Sequence, residues 1–84
     1  MTWAVRLEDA AQRELEALDG PIRSRVVRAI ARLALDPYKA PNATALRGGG
    51  YRLRVGDWRV LYDIRSSDLI VVVVRVGHRR EVYR

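Results

Sequence analysis

Residues 51–62 read Tyr51-Arg52-Leu53-Arg54-Val55-Gly56-Asp57-Trp58-Arg59-Val60-Leu61-Tyr62, with apolar and arginine positions alternating into a Gly-Asp pair and out again. A period of two marks a strand with one face buried, and Gly-X between two such runs is a two-residue hairpin turn. With Val55 opposite Trp58, Leu53 meets Val60, Tyr51 meets Tyr62, Arg54 meets Arg59 and Arg52 meets Leu61. Side chains directly opposite one another share a face. Tyr51, Leu53, Val55, Trp58, Val60 and Tyr62 therefore form an apolar face, and Arg52, Arg54 and Arg59 gather on the other. Like charges facing each other cost stability, so folding alone does not account for the cluster. An anion held among the guanidinium groups does.

The rest of the chain supplies what the apolar face needs. Thr2 to Leu7 alternates and predicts a first strand with Trp3, Val5 and Leu7 on one side. Glu8-Asp9 opens a helix, with Asp9 as N-cap; Ala11, Leu15 and Leu18 recur at helical spacing until Asp19-Gly20 stops it. Pro21 suits the first turn of a second helix, whose buried stripe is Ile22, Val26, Ala29, Ile30 and Leu33. Arg25, Arg28 and Arg32 lie off that stripe, as a solvated face or as a grip on a nucleic-acid backbone or an acidic partner. Asp36-Pro37 ends the helix, and residues 36–50 are expected to be a loop. Its Gly48-Gly49-Gly50 run lacks the Lys-Ser/Thr pair and following helix of a P-loop, and reads as a mobile approach to the hairpin.

After the hairpin, Leu69 to Val76 is a continuous β-branched run suited to a central strand covered on both faces. Two registers against the preceding strand are open. Pairing Ile64 with Ile70 sets Arg75 beside Arg59 on the basic face, while pairing Ile64 with Leu69 turns Arg75 into the core. The first is favoured, because it avoids burying an unpaired charge. Gly77 then releases the chain into His78-Arg79-Arg80-Glu81-Val82-Tyr83-Arg84. The order β-α-α-β-β-β predicts an α+β fold, two helices on one face of a twisted, mainly antiparallel sheet.

At 84 residues, residues 1–84 are expected to form a single domain. The net charge of +6 favours an anionic partner, nucleic acid foremost. Most of the excess lies in residues 36–84, where ten basic side chains meet five acidic ones. Arginine offers planar, bidentate contacts to phosphate. With no cysteine and one histidine, no metal site and no cofactor is expected. No signal-peptide layout or membrane-length apolar run is seen, so a cytoplasmic location without membrane attachment is expected.

The hairpin together with Gly77-His78-Arg79-Arg80-Glu81-Val82-Tyr83 resembles the RelE/ParE superfamily of toxins from type II toxin–antitoxin systems. The terminal segment is similar to the RelE branch. The likeness runs over nearly the whole chain, including the two helices and the Leu46-Arg47-Gly48 approach. It implies a metal-independent mRNA interferase that enters the ribosomal A site and cuts the codon there through attack by the message's own 2′-hydroxyl. By the same likeness Arg52 and Arg54 occupy two basic strand positions and Arg59 the phosphate-binding position. Arg79 matches an arginine that stabilises the transition state or protonates the leaving oxygen, and Tyr83 a tyrosine that stacks on a base. Arg47, Arg75, Arg80 and Arg84 complete the expected RNA-binding set. A RelB-like antitoxin and the ribosome, with its mRNA and rRNA, are the expected partners, the first in a hetero-oligomer.

One departure bears on the chemistry. The strand positions that are lysine in well-studied members are Arg52 and Arg54 here, and arginine stays protonated. His78 is then the candidate general base, since imidazole titrates near neutrality; otherwise it caps the strand or contacts rRNA. Two other functions compete: a non-enzymatic ParE-type toxin that inhibits DNA gyrase by binding, and a weakened relative that binds only RNA or antitoxin.

Overall fold

The computed structural model describes residues 2–80. The order is β1 (Ala4–Leu7), α1 (Asp9–Glu16), α2 (Gly20–Leu33), β2 (Ala43–Ala45), β3 (Tyr51–Val55), β4 (Trp58–Arg65) and β5 (Ile70–His78). The five strands form one sheet in the order β1-β5-β4-β3-β2; β1 runs parallel to β5 and every other pair is antiparallel. This is the expected α+β architecture with one added strand. β2 lies inside the stretch expected to be a loop, and it pairs Ala43 with Leu53 and Ala45 with Tyr51. The glycine run forms the turn between β2 and β3. Leu46 N–H donates to Gly50 O, and Gly49 and Gly50 take positive φ values of 103° and 80°, a backbone that favours glycine.

The β3–β4 hairpin has the predicted register at every position, from Tyr51 opposite Tyr62 to Val55 opposite Trp58. Gly56 takes φ 61° at the first turn position, as a two-residue turn opened by glycine requires. The apolar face of the hairpin meets the helices. Leu53, Val60 and Tyr62 join Val71, Val73 and Val76 of β5 and Ala11, Leu15, Val26, Ile30 and Leu33 of the helices in one buried cluster. Tyr62 is fully buried; its ring stacks on Tyr51 at 5.3 Å and its hydroxyl donates to Pro37 O at 2.8 Å. Burial, with the neighbouring Tyr51 and Asp36, pushes that hydroxyl up to about 12. At α1 the N-cap is Glu8 rather than Asp9, without a side-chain capping bond, and Asp9 sits in the first turn near the positive end of the dipole.

β5 is an interior strand flanked by β1 and β4, but the helices cover only one of its faces, and it follows neither anticipated register. Ile64 pairs with Val71 and Tyr62 with Val73, whereas Leu61 pairs with Arg75 and Val60 with Val76. One extra residue, Val74, bulges between the two halves. In an unbroken strand the residues facing the core after Val71 and Val73 would be Arg75 and Gly77. The bulge shifts the alternation by one, so Val76 enters the core in place of Arg75. Arg75 reaches the outer side of β5 instead, past the end of β1.

There Glu14 of α1 receives it. Glu14 accepts hydrogen bonds from Arg75 Nε and Nη2, the latter at 2.9 Å, and from the backbone N–H of Val76 at 3.0 Å. β1 ends opposite Val73, so this carboxylate satisfies a strand edge that no strand covers. Burial opposes its ionisation, but the bonds from Arg75 and Val76 and the charges of Arg75 and Arg13 prevail and hold it below its ordinary value.

Candidate anion-binding site

Four arginines from two distant stretches of chain line one hollow. Arg52 and Arg54 project from β3, Arg59 from β4, and Arg79 follows directly after β5; with Gly56 they enclose about 140 Å³. Arg52 and Arg59 are half-buried, while Arg54 and Arg79 are exposed. The hairpin register dictates the first three, since Arg54 lies directly opposite Arg59 and Arg52 is two residues along on the same face. Arg79 is brought in by the turn: its N–H donates to Asp57 O at 2.8 Å. Its guanidinium lies 3.9 Å from the Asp57 carboxylate, with both side chains half-exposed or more. Such a pair is weak, so the backbone bond sets the position and the guanidinium stays available.

One further feature keeps the hollow open. Gly77 of β5 lies opposite Arg59, so no side chain from that strand stands beside it. Among the described residues no carboxylate pairs with Arg52, Arg54 or Arg59. The site, among the described residues, is a cluster of guanidinium groups, three on the sheet without a carboxylate partner and Arg79 with only the weak contact to Asp57, suited to a phosphate and its developing charge.

The other residues expected at this site lie elsewhere. Arg75 is held by Glu14 away from the hollow, because the bulge turns it outward. His78 pairs with Trp58, not with Arg59, and its ring meets the Trp58 ring edge-on at 5.5 Å. Trp58 faces the helices, so His78 is on the sheet face opposite the arginines. Its Nδ1 accepts from Arg80 N–H at 3.4 Å. Arg47 is exposed in the β2–β3 turn and Arg80 is exposed beyond β5, and neither lines the hollow. Tyr83 and Arg84 lie outside the described residues.

Asp57, whose carbonyl anchors Arg79, has no sequence signal beyond its place in the turn. Glu14 has none either: its partners are sixty-one and sixty-two residues away.

Comparison with known proteins gives one consistent answer. Residues 5–83 match the family described as ParE toxin of type II toxin-antitoxin system, parDE. The chain is 33% identical to Toxin RelG of Mycobacterium tuberculosis, over 100% of this chain and 99% of that one. Among solved structures it resembles a chain of the RelBE2 toxin–antitoxin complex from the same organism, with a TM-score of 0.83 and 30% identity over 96% of this chain and 95% of that one. The archaeal RelE–RelB complex from Pyrococcus horikoshii shares the fold at a TM-score of 0.83, with 23% identity over 98% of this chain and 100% of that one. The chain, with two helices on one face of a five-stranded mixed sheet and an arginine cluster on the other, belongs to the RelE/ParE superfamily of type II toxins.

Proposed function

We propose that this toxin is an endoribonuclease that cleaves messenger RNA on the ribosome, using the arginine hollow to hold the scissile phosphate. The observation that carries the reading is the meeting of Arg59 and Arg79, from separate segments, in one hollow whose lining, among the described residues, holds no carboxylate. In the reaction the 2′-oxygen attacks the adjacent phosphorus and the bond to the 5′-oxygen breaks. A cyclic phosphate and a free 5′-hydroxyl result. The attacking hydroxyl gives up one proton and the leaving oxygen gains one.

Negative charge builds on the five-coordinate phosphorus, and fixed guanidinium groups stabilise it without having to reorganise. Arg52, Arg54 and Arg59 act from the sheet on the non-bridging oxygens. Arg79, at the mouth, is the group for the leaving oxygen. Arginine is no base, and His78 faces the other way, so the 2′-hydroxyl proton leaves to solvent. Alignment of the attacking oxygen by the ribosome then supplies a large share of the acceleration.

The partners follow the same reading. The similar solved chains are toxins in complexes with RelB-type antitoxins, and we infer an equivalent antitoxin here, in a hetero-oligomer. A second reading, gyrase inhibition, is favoured by the ParE description of the matching family. The deciding experiment runs both assays on one preparation. Message ends are mapped on programmed ribosomes, and supercoiling by gyrase is measured beside them. New 5′-hydroxyl ends that vanish with Arg79→Ala support cleavage; intact message with blocked supercoiling overturns it.

A further inference from the structure

A second and larger hollow, about 330 Å³, lies where the end of β3 meets α2. Arg25, Arg28 and Arg32 of α2 line it, together with Asn42 and with Arg54 and Gly56, which it shares with the first hollow. We propose that this groove continues the nucleic-acid track, taking the backbone of single-stranded RNA as it leaves the arginine hollow around the hairpin turn. The inference rests on the RNA reading of that hollow.

Three observations carry it. The spacing of 25, 28 and 32 puts the three arginines on one face of the helix. They are stepped about 4.5 and 6 Å along its axis, a row that can meet successive backbone phosphates. Like charges at these spacings weaken a helix, and among the described residues none of the three has a carboxylate partner. The fold therefore gains nothing from the row, whereas a polyanion does. Finally, the hairpin turn brings a helix guanidinium to the junction of the two hollows. A side-chain carbon on Gly56 would lie 3.0 Å from Arg25 Nη2, so its absence lets that guanidinium lie against the turn.

An acidic peptide is the competing occupant. Ala40 and Leu53 in the groove wall are buried in the core, while Ala29, Pro41 and Val55 keep some apolar surface, so the choice between the two occupants rests on charge and continuity. Continuity through Arg54 also links the groove to a phosphate site, which a strand with a charge at every residue exploits.

The test uses the full chain, two labelled RNAs with 2′-O-methyl groups that block cleavage, and fluorescence anisotropy across a salt series. One RNA is a 12-mer; the other is a 3-mer that fills only the first hollow. In the variant Arg25→Gln, Arg28→Gln, Arg32→Gln, the log–log salt slope for the 12-mer should become shallower by about 2, near 0.7 for each lost contact. Binding of the 3-mer should stay within two-fold. The matching triple lysine variant, with circular dichroism as a check on folding, should keep the slope. An unaltered 12-mer slope, or an equal loss for the 3-mer, overturns the groove. An unaltered slope with lost binding of poly-glutamate overturns it too and assigns the surface to an acidic peptide. If neither RNA binds the wild-type chain, the reading of the first hollow falls as well.

Discussion

Arg59 stands half-buried on a strand paired on both sides, whereas Arg79 hangs just beyond a strand end on one backbone hydrogen bond to Asp57. Their removal should therefore read differently. Arg59→Ala is expected to lower the cleavage rate and weaken RNA binding together, because a fixed donor holds both the ground state and the transition state. Arg79→Ala should act mainly on the rate, by about 10²–10³-fold, with the circular dichroism spectrum unaltered; single-turnover kinetics on programmed ribosomes separate the two. His78→Ala should leave the rate within two-fold, since the imidazole faces the helices. With only guanidinium groups known in the hollow, the logarithm of the rate should climb with unit slope between about pH 6 and 8.5. A plateau in that profile that the substitution abolishes would return His78 to the chemistry.

At the scale of elements, the sequence carried the hairpin in full because its register is set by contiguous alternation and a turn residue, both local. It could not carry the bulge in β5. Six apolar residues in a row, from Leu69 to Val74, have no period, so either alternation was admissible until Arg75 found a partner. That partner is Glu14, far away in sequence, so neither the bulge nor the course of the Arg75 side chain was readable from local pattern. β2 escaped notice because Ala43-Thr44-Ala45 is too short to display a pattern and is a strand only by virtue of β3 beside it. Arg52, Arg54, Arg59 and Arg79, in contrast, were legible as a cluster.

The Glu14–Arg75 contact has its own pH signature. The folded state holds the Glu14 carboxyl below its ordinary 4.5, so its stabilising contribution is present above that value and disappears as pH falls through the folded one. Glu14→Gln should thus lower the urea midpoint at pH 7 and make progressively less difference below pH 4.5. The pair is about a third exposed, and its ionic part is worth under about 1 kcal/mol. A variant that differs from wild type equally at pH 7 and pH 3 would show that the charge contributes nothing, since the glutamine oxygen still accepts from Val76 N–H.

For the molecule as a whole, the helices cover one face of the sheet and the excess positive charge is concentrated at the other and around the hairpin turn. A chain of this size has little stability to spare, and uncompensated arginines reduce it. An anion that binds the folded state alone should therefore raise its melting temperature. Sulfate is expected to stabilise the protein by several degrees over chloride at equal ionic strength, and to lose that advantage when Arg52, Arg54 and Arg59 are changed together to Gln. Equal melting temperatures in the two salts would mean the hollow does not hold a dianion. Gly77 gives the arrangement an unexpected vulnerability. It sits in extended backbone that any residue adopts, so Gly77→Val should fold at least as well, as valine suits a strand better. Yet a branched side chain there would crowd Arg59 and shut the phosphate out. A lineage could in this way disarm the poison by one codon, while keeping a body that still soaks up antidote.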